Sequence, residues 1–189
     1  MVIDTAIEVI RSEPFPSVTS RTIAERAGVS HSSIRRNFSS MEGLFVAVAE
    51  ELNERFATRV ATRSSEHLID DDVVLRSRLV AWMLGEGMDP AKITYPESRP
   101  TLTAVIERQQ ATSPVSDRTA QLFGELSLFI GEGFATFAPV HPNLNSDDVV
   151  DAIRLIEWMR SHLAQAERDL GWEGTDSDVP GSTDSQASA

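Results

Sequence analysis

The sequence predicts an all-α chain in two parts, a short amino-terminal domain of three helices followed by a longer helical bundle. Three observations carry this. Apolar residues recur at spacings of three and four almost everywhere, and no convincing period of two occurs. Helix-capping and helix-stopping residues separate the periodic segments. The first three segments are short and tightly linked, whereas the later ones are long.

The first element rests on Val2, Ile3, Ala6, Ile7 and Ile10, and Pro14 and Pro16 stop it. Thr19 is placed to cap a second helix holding Ile23, Ala24 and Ala27. Gly28 ends that helix as a residue able to take positive φ, and Ser30 caps a third running through Phe38. Ser39 and Glu42 match a capping box, which predicts a long fourth helix bearing Leu44, Val48, Leu52, Phe56 and Val60. Asp70, Asp71 and Asp72 favour a helix start, and the helix they open ends at Gly85, Gly87 and Pro90. A Pro- and Gly-rich connector leads to a helix over 101–111.

From Ser116 to Phe137 the pattern is apolar nearly all round, so this helix needs more than one partner. Leu122, Leu126, Phe129 and Phe137 share one side, and Phe123, Ile130 and Phe134 another. Gly124, Ser127, Gly131 and Ala135 form a stripe of small residues, expected to meet its counterpart in a second protomer. A single last helix is expected from near Ser146 to Leu170. Beyond Gly171 the Gly-, Ser- and Asp-rich composition predicts disorder.

Composition narrows the function. The 189 residues include 17 basic and 29 acidic side chains, a formal net charge of −12, and no cysteine. A disulfide framework, a thiol nucleophile and Cys-ligated metal are excluded. His31, His67, His141 and His162 show no ligand spacing, and no P-loop, dinucleotide fingerprint or nucleophile elbow occurs, so neither metal nor cofactor is expected. No apolar run exceeds six residues and no basic-then-apolar leader precedes the first helix, which predicts a cytoplasmic chain without a membrane partner. The acidity argues against whole-surface binding to nucleic acid. Yet residues 14–41 carry a local charge of +3, followed by −3 over 42–58. Sixteen of the 17 basic residues are Arg.

Residues 18–38, VTSRTIAERAGVSHSSIRRNF, combine two short helices with the tight link Gly28-Val29-Ser30, as a helix-turn-helix requires. Ile23, Ala24, Val29, Ile34 and Phe38 are its core. Ser30 caps the second helix and leaves His31, Ser32 and Ser33 in its first turn, with Arg35 and Arg36 one turn on. Short polar and basic side chains suit a major groove, where base edges offer donors and acceptors. The alternative for Arg35 and Arg36 is a solvated pair, and for His31 a first-turn residue without base contact.

Residues 2–49 resemble the DNA-binding domain of the TetR family of bacterial repressors. The likeness rests on Asp4-Thr5-Ala6, Phe15, Thr19, Ile23-Ala24, Ala27-Gly28-Val29-Ser30, Ile34, Phe38, Glu42 and Leu44, in order and without gaps. It covers about a quarter of the chain. The resemblance implies DNA contacts at Thr19, Ser30, His31, Ser32, Ser33, Arg35, Arg36 and Asn37. It also implies a double-stranded operator and a repressor released by ligand. The chain departs from the family where Arg35 stands for a Tyr, Asn37 for a His or Tyr, Met41 for a Lys and Pro14 for a Gly. It also lacks the short basic lead common before the first helix. Arg35 can replace a phosphate contact of the Tyr; Met41 cannot replace that of the Lys.

The expected organisation is therefore a helix-turn-helix domain over 1–46, a helical ligand-binding and dimerisation domain over 47–170, and an acidic tail over 171–189. The homodimer is expected through the helices at 116–137 and 146–170, as a four-helix interface. Trp82, Met83, Met88, Tyr95, Phe123 and Phe129 are candidates to line a cavity for a small apolar or amphipathic ligand, against the alternative of plain bundle core. Two competing readings are a helical-bundle enzyme using carboxylates such as Glu86, Glu97 or Glu107, and a constitutive DNA-binding dimer without effector. No catalytic constellation is recognisable among those carboxylates.

Overall fold

The computed structural model describes residues 1–62, 71–93, 100–141 and 146–172. Among them lie α1 (Val2–Ser12), α2 (Ser20–Ala27), α3 (His31–Phe38), α4 (Met41–Thr62), α5 (Asp71–Gly85), α6 (Pro100–Thr112), α7 (Asp117–Phe137), α8 (Ser146–Ser161) and α9 (Leu163–Asp169), and no strand. The predicted tail lies outside the described residues from 173 on, as does Asp70. Among the described residues no helix is long and apolar enough to cross a membrane.

The short helices are set by local chemistry. The Thr19 side chain accepts a hydrogen bond from Thr22 N at 3.1 Å, so α2 starts where a cap can satisfy it. Gly28 closes α2 at φ 66°, and Val29 N donates back to Ala24 O at 3.0 Å. A left-handed residue followed by that six-to-one hydrogen bond turns the chain sharply into α3. There Ser30 Oγ accepts from Ser33 N at 3.2 Å.

The capping box expected at Ser39 is displaced by one residue. Ser39 ends α3 at φ 63°, a conformation that costs a non-glycine residue about 1 kcal/mol or more. Ser40 is the cap of α4, its hydroxyl accepting from Gly43 N at 3.0 Å. Gly43 therefore takes the place that a box-closing Glu would need, and Glu42 pairs with Lys92 at 3.4 Å instead. The glycine is required for space: a Cβ there would stand 2.1 Å from the carbonyl oxygen of Phe38.

One continuous apolar core joins Ile7 and Ile10 of α1, Ile23 of α2, Ile34 of α3 and Leu44, Val48 and Leu52 of α4 to Leu75, Leu79 and Met83 of α5. It runs across residue 46, so α4 belongs to both parts. A second cluster joins Phe56 and Val60 of α4, Val73 of α5, Ala104 of α6 and Ala135 of α7. Buried polar groups fix the register between helices. Thr101 Oγ1 donates to Asn53 Oδ1 at 2.6 Å, tying α6 to α4. Glu167 of α9 accepts from Ser116 N at 3.1 Å and Thr119 Oγ1 at 2.7 Å, and from Ser116 Oγ. Its carboxylate thus sits on the positive end of α7, and these bonds, that from the Ser116 hydroxyl first, hold its pKa below the ordinary carboxylate range.

Two expectations about the long helices need correction. The small-residue stripe of α7 faces inward, not toward a second protomer. A Cβ on Gly124 would lie 2.8 Å from Leu102 Cδ1 of α6, and Ala135 is buried in the second cluster. What α7 leaves uncovered is the Leu122, Leu126, Phe129 and Phe137 side, while α8 exposes Val150, Leu155 and Trp158. The last helix is also broken. His162 N bonds Met159 O at 3.1 Å rather than the carbonyl four residues back. That carbonyl, of Trp158, is occupied by Ser161 Oγ and by the His162 ring, each at 2.8 Å. The chain therefore ends α8 at Ser161 and restarts at Leu163.

Candidate nucleic-acid interface and cavity

The surface of α3 is built by the cap before it and the seam beneath it. Ile34 is buried, and His31, Ser32, Arg35, Arg36 and Asn37 are exposed, with Ser33 half-buried. The basic residues of the window divide in two. Arg21 pairs with Glu25 at 3.0 Å and Arg26 with Glu13 at 2.5 Å, so these charges are used within α2 and between its end and α1. Arg35 and Arg36 have no ion pair among the described residues. Once Arg21 and Arg26 are paired, two positive charges of the window remain, both on the outer face of α3.

The other predicted DNA residues hold this face in place. Thr19 and Ser30 are exposed, and their hydroxyls are committed to the caps. Ser30 Oγ also lies 2.8 Å from the hydroxyls of Ser32 and of Ser33. The His31 Nε2 lies 2.8 Å from Ser20 Oγ, which links the first turn of α3 to the first turn of α2. The eight residues therefore share one corner, with Arg35, Arg36 and Asn37 reaching outward and His31 oriented from behind.

A second feature lies inside the bundle. A cavity of about 330 Å³ opens between α4, α5, α6, α7 and α8. Of the six predicted lining residues it takes two, Phe123 and Phe129, with Phe129 69% exposed at the rim. Trp82, Met83 and Met88 do not reach it. Trp82 lies between Phe15 and Phe45 at centroid distances of 5.6 and 5.4 Å, and Met83 and Met88 join the same core. They are packing residues where the two parts of the chain meet. Bulk and softness alone do not say which side of α5 a residue occupies. Tyr95 lies outside the described residues.

The cavity wall also carries charge that the sequence reading missed. Arg76 reaches Glu132 at 2.6 Å. Arg108 of α6 and Arg160 of α8 both approach Glu157: Arg108 at 3.6 Å, Arg160 in direct contact. Burial, and then the charge of Arg108, push the Arg160 guanidinium down to about 10. A signal for Arg160 was present. It occupies the register of Val149, Ile153, Ile156 and Leu163, so a cation interrupts an apolar stripe.

Residues 2–48 match the family described as bacterial regulatory proteins, tetR family. Two solved structures share the fold over most of their length. One is a TetR variant from Acinetobacter baumannii AYE in complex with minocycline, 20% identical, covering 89% of this chain and 95% of that one, TM-score 0.52. The other is the TetR family repressor AlkX from Dietzia sp. strain DQ12-45-1b, implicated in biodegradation of n-alkanes, 19% identical, covering 87% and 94%, TM-score 0.52. No curated protein matches the chain. Residues 2–48 thus carry the amino-terminal helix-turn-helix domain of the tetR family of bacterial regulatory proteins, in a chain that is all-helical among the described residues.

Proposed function

We propose that this regulator binds a two-fold operator as a homodimer and represses until a small molecule enters its cavity. The observation that carries the DNA half is the pair of uncompensated guanidiniums of Arg35 and Arg36 on the outer face of a capped, stapled α3. Two such helices on one dimer suit two half-sites a helical turn apart. The large apolar side chains that α7 and α8 leave exposed support the dimer, since an interface between two copies would cover them. The dimer thus uses the predicted helices, but through the side opposite the small-residue stripe.

The route from cavity to α3 runs through α4 and α5. Phe56 and Val60 of α4 and Val73 of α5 line the cavity. Asp72, at the start of α5, accepts from Arg59 of α4 at 3.0 Å and from Arg11 of α1. A ligand that prefers one spacing of these helices shifts the tilt of α1 to α3. A preference of ~1–3 kcal/mol changes operator affinity by about 5–150-fold.

The enzyme reading loses its carboxylates. Glu86 and Glu107 are exposed and outside the cavity wall, and Glu97 lies outside the described residues. A constitutive dimer would have no use for the cavity. The deciding experiment is recovery and sequencing of genomic fragments bound by the purified protein. An inverted repeat is expected; recovery without sequence enrichment would refute the operator reading.

A further inference from the structure

The charges of the cavity wall identify the class of molecule it takes, an inference that rests on the ligand-responsive reading above. Among the described residues six charged side chains line the cavity, Arg76, Arg108 and Arg160 with Glu125, Glu132 and Glu157, so the wall carries no net charge. Each is engaged by the protein itself. Arg76 Nη1 donates to Glu132 Oε1 at 2.6 Å, joining α5 to α7. Glu157 meets Arg160 through Oε2 and Arg108 through Oε1, the second at 3.6 Å as an ionic approach rather than a hydrogen bond. Arg108 and Glu125 also interact within the fold. The Arg160 pKa, lowered to about 10 chiefly by burial, still leaves a cation at neutral pH, so the balance of charge holds there. Uncharged polar groups are matched too: Thr101 Oγ1 donates to Asn53 Oδ1 at 2.6 Å. The Ser127 hydroxyl and the Arg76 Nε are buried in the wall without a hydrogen-bond partner, and each can meet an uncharged oxygen. The rest is apolar, with Phe56, Val60, Val105, Phe123, Ile130 and Ile156 prominent. An ion entering such a space loses its hydration and finds no counter-charge that is not already in use.

We propose that the cavity takes an uncharged molecule with an apolar body, such as an alcohol, ketone or ester, and rejects the carboxylate and the amine of the same length. The balance of the wall sets this specificity. Removing one member of the Arg76–Glu132 pair leaves the other unmatched inside the bundle, and the wall then favours the ion of opposite sign.

The test is isothermal titration calorimetry of the full chain with octanol, octanoate and octylamine at about pH 8, where the second is an anion and the third a cation. Octanol is expected to bind about tenfold or more tighter than either ion. In Glu132→Gln octanoate should gain about tenfold on octanol, and octylamine should gain nothing. Arg76→Gln should do the reverse and favour octylamine. Arg76→Gln combined with Glu132→Gln is neutral again and should restore the wild-type order. These are ratios between ligands on one protein, so a loss of stability does not imitate them. An ion bound as tightly as octanol by the wild type overturns the proposal, as does no binding of any of the three, or an order unchanged in both single variants. If a variant does not fold, the wild-type order decides. Capture of genomic fragments with and without octanol is a separate readout. Octanol bound without a change in capture would refute the response to ligand and leave the ligand class standing. Capture that changes with octanoate, bound as tightly as octanol, would refute only the class.

Discussion

Replacing Arg36 by Ala removes one of the two free guanidiniums on α3 and touches nothing in the core, because the side chain is exposed and no ion pair among the described residues depends on it. If it neutralises a phosphate, the slope of log affinity against log salt falls by about 0.9 per protomer, or about 1.8 for a two-protomer complex. Over a fourfold rise in salt the wild type should then lose about twelvefold more affinity than the variant. If Arg36 instead grips a guanine edge, the loss is ~1–3 kcal/mol per half-site and is confined to operators carrying that base. Fluorescence anisotropy on a labelled duplex, from about 50 to 200 mM salt, separates the two. Arg35→Ala should behave as a second phosphate contact. Arg154→Ala is the control: it makes the same change in net charge at an exposed site on α8, and should leave the slope unaltered. An unchanged slope and affinity in both α3 variants would refute the reasoning. So would an equal effect of Arg154→Ala, which would mean that net charge matters and position does not.

Three other outcomes follow from the packing. Gly43→Ala should cost about 3 kcal/mol in urea denaturation, because the new methyl falls 2.1 Å from the Phe38 carbonyl and the α3–α4 corner must open; its better helix propensity offsets only about 1 kcal/mol of that. Asp72→Ala should lower stability by about 1–2 kcal/mol after allowance for solvent screening at Arg11, and Arg11→Ala added to it should cost almost nothing more, since the shared bond is already gone. Glu167→Gln should cost about 1–2 kcal/mol at neutral pH. The folded pKa of Glu167 is lowered, so its contribution is complete above the unfolded value of about 4.3 and is lost as pH falls through the folded value. Thermal melts of wild type and variant should therefore converge in acid; a gap that persists there would remove Glu167 from the account.

The parts legible in the sequence are those decided within a few residues. Thr19, Gly28 and Ser30 act on backbone groups two or three positions away, so their roles follow from identity and spacing. Ser39 failed for a reason of the same range. Two adjacent serines can each cap, and the choice fell on Ser40 because the carbonyl of Phe38 demands a glycine three residues after the cap. The break at His162 was hidden because the apolar stripe continues through it, while the competing bonds to Trp158 O are invisible to periodicity. The α7 stripe was misplaced for a different reason. A helix apolar on several sides states that it has several partners and does not say which partner takes which side. Gly124 and Ala135 went to α6 and the core, Phe123 and Phe134 to the cavity, and Leu122 and Phe137 to the surface.

The cavity completes that argument. An apolar stripe interrupted by a cation has two physical resolutions: the helix turns the charge to water, or the fold supplies a counter-charge inside. Arg154, off the stripe, lies exposed beside Asp151. Arg160, six residues on, took the second, with Glu157 one turn away and Arg108 facing it across the bundle. Replacing such a charged group by well-packed apolar residues is often neutral or better for stability. Arg160, buried against Glu157, is therefore poorly accounted for as a stabilising device and is better read as part of the cavity wall.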